Sequence, residues 1–162
     1  MSDESTIDKA RFREVLGHFP TGVTVVTADS DDGPVGLAVG SFFSISLDPM
    51  LVGFCVGASS GSWPRIEATG SFCVNVLAAD QEGTCSAFAM KGDDKFDGVG
   101  WRAAGSGAPV LDGVLAWIDC DIAEVHPSGD HFIAVGAVRE LEVEREIGPL
   151  VFFRGGYGRF EA

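Results

Sequence analysis

Positive charge is scarce in this chain of 162 residues, which carries 11 lysine and arginine residues against 24 aspartate and glutamate residues, for a net charge of −13. Proteins that bind nucleic acid use a basic surface to displace counterions from the phosphates. The acidic excess therefore argues against nucleic acid and against an anionic membrane surface as partners. It also means that any phosphate on a ligand must be held by local dipoles and a few well-placed cations.

Long hydrophobic runs are missing as well. No apolar stretch approaches the roughly 20 residues that a membrane-spanning helix needs. Residues 1–4 are Met-Ser-Asp-Glu, without the apolar segment of a signal peptide. We therefore expect no association with a membrane and a location in the cytoplasm.

Paired cysteines, metal-ligand spacings and several catalytic motifs are absent. The four cysteines include no C-x-x-C pair, and the three histidines show no ligand spacing with them, so we expect buried free thiols and no metal site. The chain also lacks G-x-G-x-x-G after a strand, the G-x-x-x-x-G-K-[ST] phosphate loop and H-E-x-x-H. These absences exclude the ordinary dinucleotide-binding fold and leave no basis for a kinase.

The hydrophobic pattern that is present predicts a mainly β fold. Strands are predicted at residues 22–28, 35–42, 50–56, 72–77, 116–125, 131–143 and 150–154. Turn signals are frequent and the βαβ rhythm is absent. We predict a single domain over residues 1–162, with its core at about 10–160: an antiparallel β-barrel of about seven strands, Greek-key in type, with peripheral helices.

Two or three helices are predicted around this barrel. The first is amphipathic, has Ser5 and Asp8 at capping-box-like spacing, and ends before Pro20. The second covers residues 63–69 with Ser62 as its cap, and the third begins with Asp80 as its cap and ends near residue 90. Residues 91–109 are rich in glycine and are predicted to be an irregular flap. Residues 116–125 alternate and are predicted to be a half-buried strand.

Three segments carry the signals of a ligand site. Residues 36–49 run from small residues into the hydroxyls of Ser41, Ser44 and Ser46, which suits the wall of a cofactor site. Residues 59–62, Ser-Ser-Gly-Ser, precede a predicted helix, where backbone N–H groups favour an anion. His131 follows Gly-Asp at the start of a strand. Each segment is also compatible with ordinary loop, cap or surface chemistry.

Seven motifs along residues 10–160, in this order, resemble the flavin reductase-like, FMN-binding split-barrel family. They are LGxFPTGVTVVT at 16–27, SFxSxSLDP at 41–49, FxVNVL at 72–77, KF at 95–96, GxPxL at 107–111, GDH at 129–131 and PLVFFRGGY at 149–157. The resemblance implies a split barrel and a homodimer with the flavin near the subunit interface. It also implies an NAD(P)H:flavin oxidoreductase that passes reduced FMN or FAD to a separate flavin-dependent oxygenase, with similarity to the reductases of aromatic or steroid degradation.

The resemblance also implies which residues form the site. The isoalloxazine and ribityl region would lie against Ala38, Val39, Gly40 and Ser41. The tail and phosphate would be held by Cys55, Val56, Ser59, Ser60 and Ser62, with Asn75 and Lys95 nearby, and the nicotinamide side would be lined by His131 and Tyr157. His131 is the candidate catalytic residue, expected to bond the carboxamide or to ease protonation of the reduced flavin.

Two positions in the wall depart from the family pattern. Relatives often carry Thr where Ala38 stands and Ser where Gly40 stands, so two hydrogen bonds to the flavin are missing here and a loosely held flavin is expected. NADH is favoured over NADPH, because no arginine cluster for a 2′-phosphate is visible. The alternatives are a flavin-binding or carrier protein with little reductase activity, a binder of haem or another ligand on the same barrel, and an interaction domain without a cofactor.

Overall fold

The structure, a computed structural model, describes residues 7–161. Its helices are α1 (Lys9–Leu16), α2 (Trp63–Thr69) and α3 (Glu82–Ala89). Its strands are β1 (Thr21–Gly22), β2 (Thr24–Ser30), β3 (Gly33–Val39), β4 (Phe43–Leu47), β5 (Met50–Gly57), β6 (Ser71–Val76), β7 (Trp101–Ala103), β8 (Pro109–Leu111), β9 (Ala116–Ser128), β10 (His131–Val143), β11 (Leu150–Phe153) and β12 (Gly156–Arg159).

A seven-stranded antiparallel sheet dominates the fold, which confirms the predicted mainly β class. Its strand order is β3-β2-β6-β9-β10-β5-β4, so the two edge strands are consecutive in sequence and are joined only by residues 40–42. A flat sheet of seven strands would hold its edges about 29 Å apart. The connection from residue 39 to residue 43 reaches at most about 14 Å. The sheet must therefore curl until its edges approach each other, as expected for a split barrel.

Ser41 closes the gap between these edges with its side chain. Its hydroxyl donates to the carbonyl oxygen of Cys55 on β5 (3.0 Å) and accepts from the N–H of the same residue (2.8 Å). The hydroxyl thus supplies the two hydrogen bonds that a neighbouring strand would make. This contact fixes the position of the segment that links β3 to β4.

Both faces of the sheet are covered by apolar cores, since neighbouring residues of a strand point to opposite sides. On one side Phe54, Trp63 and Phe72 pack edge to face, with ring centroids 5.1–5.8 Å apart. The other side is covered by α3 and the long segment after it, where Phe88 packs on Phe96 at 4.9 Å.

Burial on both sides corrects the prediction for β9. The alternation of the predicted half-buried strand puts Ile118 and Cys120 on one face and Asp119 on the opposite, solvent side, but Asp119 is fully buried. Its carboxylate accepts from the Ser106 N–H (2.9 Å) and hydroxyl (2.5 Å). The predicted flap therefore folds back over the sheet, and it contains β7, which pairs with β8.

The helix caps differ from the predictions. Ser5 lies outside the described residues, and Asp8 caps α1 by accepting from the Ala10 N–H at 2.8 Å. Ser62 occupies the N-cap position of α2 without a side-chain bond. Asp80 does not cap α3: its carboxylate pairs with Arg145 instead, at 2.9 and 3.0 Å, because a bidentate charge-assisted contact is stronger than a cap.

Within residues 7–161, no helix has the length and apolar character to cross a membrane. The same residues contain no group of three or more side chains placed to hold a metal ion. All four cysteines are free: Cys55 is half-buried, and the other three are buried. Burial raises the pKa of the Cys120 thiol to about 12 and raises that of Cys73 further.

Candidate functional site

One concavity, which we call the basic cleft, has a volume of about 560 Å³. One wall is the end of β3, at Leu37 and Ala38. A second wall is the loop 59–62 with Arg65 behind it, and the third is the end of α3 together with the start of the flap. Ala38, Ser59, Ser60, Ser62 and Lys95, five residues predicted from the sequence, therefore meet in one place.

Three cations line this cleft in a protein of high negative charge: Arg65, Lys91 and Lys95. The Lys95 ammonium donates to the Gly36 carbonyl oxygen (3.1 Å) and to the Ser62 hydroxyl (3.4 Å). Burial lowers the pKa of Lys95, because the charged form loses solvation. An anion beside this ammonium would restore the lost stabilisation. Serine hydroxyls and cations together form the donor set that a phosphate requires.

A smaller concavity of about 180 Å³, which we call the apolar corner, adjoins the basic cleft through Ala38 and Ala89. Its far side is formed by Phe152 and Tyr157, whose rings pack at 5.5 Å. The Tyr157 hydroxyl lies 3.2 Å from the Cys85 sulfur, and this hydrogen bond raises the pKa of Tyr157. Apolar walls beside a phosphate-type cleft suit a ligand with a flat ring system and an anionic tail.

The wall between the two concavities is built from small residues. Ala38, Val39 and Gly40 all line the apolar corner, and the Val39 side chain also belongs to the buried core. A Cβ added at Gly40 would lie 3.4 Å from the Thr21 hydroxyl oxygen, which is buried and has no hydrogen-bond partner. The wall is therefore flat, and the polar atom behind it is unsatisfied.

Four other predicted residues do not line either concavity: Ser41, Cys55, Val56 and Asn75. Ser41 is engaged with Cys55, as described above. Val56 is buried in the core. Asn75 is fully buried: its amide donates to the Val25 and Pro109 carbonyl oxygens at 3.2 Å and accepts from the Leu111 N–H at 2.8 Å. These side chains hold the scaffold together, and we leave them out of the proposed ligand contacts.

His131 lies in a different concavity of about 480 Å³, between the β9–β10 turn and α1. Its Nδ1 is 2.7 Å from the Asp130 carboxylate, and this contact lowers the pKa of Asp130. Lys9 and Arg13 of α1 line the same concavity. Within one chain, the predicted catalytic histidine is thus not a lining residue of the basic cleft or of the apolar corner.

Sequence reasoning missed Arg65, Lys91 and Cys85. For Arg65 and Lys91 the one available sequence signal was the scarcity of positive charge. The chain has only 11 lysine and arginine residues, and three of them (these two and Lys95) line the basic cleft. Cys85 had none, because its contact with Tyr157 spans 72 positions of the chain.

Residues 57–61 spell G-x-S-x-G, the pattern of the nucleophile elbow of α/β-hydrolases. That elbow requires a parallel sheet and a histidine bonded to the serine hydroxyl. Here the large sheet is antiparallel, and within residues 7–161 no histidine is hydrogen-bonded to Ser59. The segment is a loop of the basic cleft.

A curled antiparallel sheet with a phosphate-type cleft beside an apolar corner defines a β-class ligand-binding protein without a dinucleotide fold. Residues 16–161 match the flavin reductase like domain, and the chain belongs to that family. It is 55% identical over 159 residues to a flavin reductase of Pseudomonas putida, which covers 98% of this chain and 94% of that protein.

Two further relatives carry more specific descriptions. The chain is 50% identical over 155 residues to the reductase subunit HsaB of a flavin-dependent monooxygenase of Rhodococcus jostii, covering 96% of this chain and 80% of that protein. It superposes with a TM-score of 0.90, at 39% identity, on the NADH:FAD oxidoreductase SgcE6 of Streptomyces globisporus C-1027 in complex with NAD and FAD fragments. That match covers 95% of this chain and 93% of the solved chain.

Proposed function

We propose that this protein is an NAD(P)H-dependent flavin reductase that supplies reduced flavin to a separate monooxygenase component. The observation that carries the proposal is the junction of the basic cleft with the apolar corner at Ala38. A flavin has the same two parts, a flat ring and a phosphorylated tail. Membership of the flavin reductase family and the similarity to a monooxygenase reductase subunit support it.

The donor set fits the flavin as follows. Ser59, Ser60, Ser62 and Lys95, with Arg65 in the same cleft, would hold its phosphate, and Ala38, Gly40 and Tyr157 would flank its ring. A flavin held there would supply the hydride chemistry that links a nicotinamide to the oxygenase. The protein contributes binding, orientation and exclusion of water, which explains why no catalytic triad is needed.

We assign His131 to the nicotinamide as a residue contributed across the dimer interface, because within its own chain it lies apart from the two concavities that would hold the flavin. If the Asp130 carboxylate accepts from Nδ1–H, the ring is oriented and Nε2 is left to face a ligand. We assign NADH as the donor, which agrees with the nucleotide named for SgcE6. Either FMN or FAD is compatible with the cleft, and comparison of turnover with each flavin decides between them.

The test is a steady-state assay of NADH oxidation by the purified protein with and without added FMN or FAD. Oxidation that depends on flavin and yields reduced flavin is expected. Tight flavin binding without turnover would favour a carrier on the same barrel. Absence of any quenching of FMN fluorescence would favour an interaction domain. Added oxygenase should consume the reduced flavin, and substrates of aromatic or steroid degradation are the first choice.

We infer that the protein acts as a homodimer. The helix α1 has no buried residue, although Phe12, Val15 and Leu16 form one apolar face. Phe19 is 76% exposed and lines an apolar groove of about 710 Å³ with Leu16 and Phe43. A contiguous apolar surface of this kind marks an interface. Light scattering should give twice the chain mass, and Leu16→Glu with Phe19→Glu should shift it to the monomer.

A further inference from the structure

One carboxylate lies among the cations of the basic cleft. Asp93 lies in the flap and lines the cleft together with Arg65, Lys91 and Lys95. Its carboxylate oxygen is 3.7 Å from the Arg65 Nη1. This contact is an ion pair without a hydrogen bond. An anionic ligand that enters the cleft therefore meets a negative charge already placed beside Arg65.

The ion pair between Asp93 and Arg65 is easily broken. The Asp93 side chain is fully exposed, whereas that of Arg65 is 29% exposed. An exposed pair of this length is weakly held because water and salt screen it. The Arg65 Nη2 is held separately by the Ser30 hydroxyl at 3.1 Å. Arg65 thus stays in position when Asp93 leaves it.

We propose that Asp93 is an intramolecular competitor for the phosphate at Arg65, and that it sets how readily the protein releases its flavin. The inference rests on the proposed function, because it takes the ligand of the cleft to be a flavin phosphate. Without ligand, the Asp93 carboxylate partly neutralises Arg65. With ligand, it repels the phosphate and favours dissociation. A protein that passes reduced flavin to a partner benefits from such a contact, since tight retention would slow the transfer.

Asp93→Asn tests the proposal, and Asp94→Asn is the matched control. The control removes the same charge one position away, from a residue that does not line the cleft. We expect Asp93→Asn to lower the Kd for FMN about three- to tenfold and to slow its release by a similar factor. Asp94→Asn should change the Kd less than twofold. Kd is measured by quenching of flavin fluorescence, and release by stopped-flow dilution.

Riboflavin is the matched ligand, because it has the ring and polyol of FMN but no phosphate. Its Kd should be the same in the wild type and in Asp93→Asn. The gain for FMN should shrink at high salt, because screening weakens the repulsion. It should also shrink in an Arg65→Gln background, since Asp93 acts at Arg65. A change in loop structure would affect both ligands and would not depend on salt.

The possible results distinguish failure of the Asp93 role from failure of the proposed flavin reductase function. Wild-type protein that binds neither FMN nor riboflavin contradicts the proposed function. Normal FMN binding with an unchanged Kd in Asp93→Asn overturns the competitor role and leaves the function intact. Equal tightening of FMN and riboflavin also overturns the role, because the effect would then not act on the phosphate.

Discussion

The basic cleft and the apolar corner share Ala38 and Ala89 but differ in polarity. The cleft carries three serine hydroxyls, three cations and the Asp93 carboxylate, and the corner is lined mainly by aliphatic and aromatic side chains. A single ligand that occupies both must be amphipathic, with an anionic end and a flat apolar end. We propose that the cleft holds the tail and the corner orients the ring, which would place binding energy and reactivity in different parts of the molecule.

The largest effect is expected from loss of Lys95, which would remove the charge at the cleft end. Lys95→Met should raise the Kd for FMN about ten- to hundredfold, because a half-buried cation that could make a charge-assisted hydrogen bond to the phosphate is lost. The Kd for riboflavin should stay within twofold of the wild type. Lys9→Met, a lysine outside the cleft, serves as the control. Equal losses for FMN and riboflavin would mean that Lys95 shapes the ring end instead.

The pH dependence of the same contact gives a second measure. Burial lowers the pKa of Lys95, so its charge is present below that pKa and is lost as pH rises through it. FMN affinity of the wild type should therefore fall with rising pH, and it should fall at lower pH than expected for an exposed lysine. Lys95→Met should show no such alkaline decline in a parallel titration.

A smaller effect, on rate rather than affinity, is expected at His131. His131→Ala should slow hydride transfer from NADH about tenfold, and the Kd for flavin should change less than twofold, because the histidine lies outside both concavities. Stopped-flow reduction of bound flavin measures the rate. His126→Ala removes a histidine of similar exposure and is the control. An unchanged reduction rate would remove His131 from the mechanism.

The wall residues should give a modest gain in affinity. Ala38→Thr adds a hydroxyl at a residue that lines both concavities, and it should lower the Kd for flavin about two- to tenfold. Gly40→Ser should gain less, because its Cβ lies 3.4 Å from the Thr21 hydroxyl oxygen and the new hydroxyl is drawn to that unsatisfied atom. The double variant should bind tightest and release flavin slowest to a partner. A lower Kd in Gly40→Ser without a lower Kd in Ala38→Thr would contradict this order.

The smallest effect concerns the apolar corner alone. Tyr157 is the single tyrosine of the chain, so ultraviolet absorbance titration reports its phenol directly. The hydrogen bond with Cys85 raises the pKa of Tyr157. Cys85→Ala should therefore lower the midpoint of the titration, without change in FMN affinity. A midpoint that does not move would show that the Cys85 contact is not formed in solution.

Much of the fold was predictable because its signals are local. The alternation in β9 and β10 and the turn between them follow from neighbouring residues, and so do α1 and α2. The errors arose where a distant segment intervened. Asp119 has the period of a solvent-facing residue, and only the flap folded over it makes it buried. Asp80 has the position of a cap, and only Arg145, 65 residues away, draws it elsewhere.

In the candidate site, too, some features follow from the sequence and others only from the tertiary structure. By itself the sequence determined the small residues at 38 and 40, the serines at 59–62 and the mainly β class of the fold. Only the tertiary structure brought Arg65, Lys91 and Lys95 together with Asp93, and placed His131 apart from them. Charges on loops carry no periodicity, and their meeting depends on how the flap closes over the sheet. In an acidic chain, that meeting supplies the cations that the proposed site for a flavin phosphate needs.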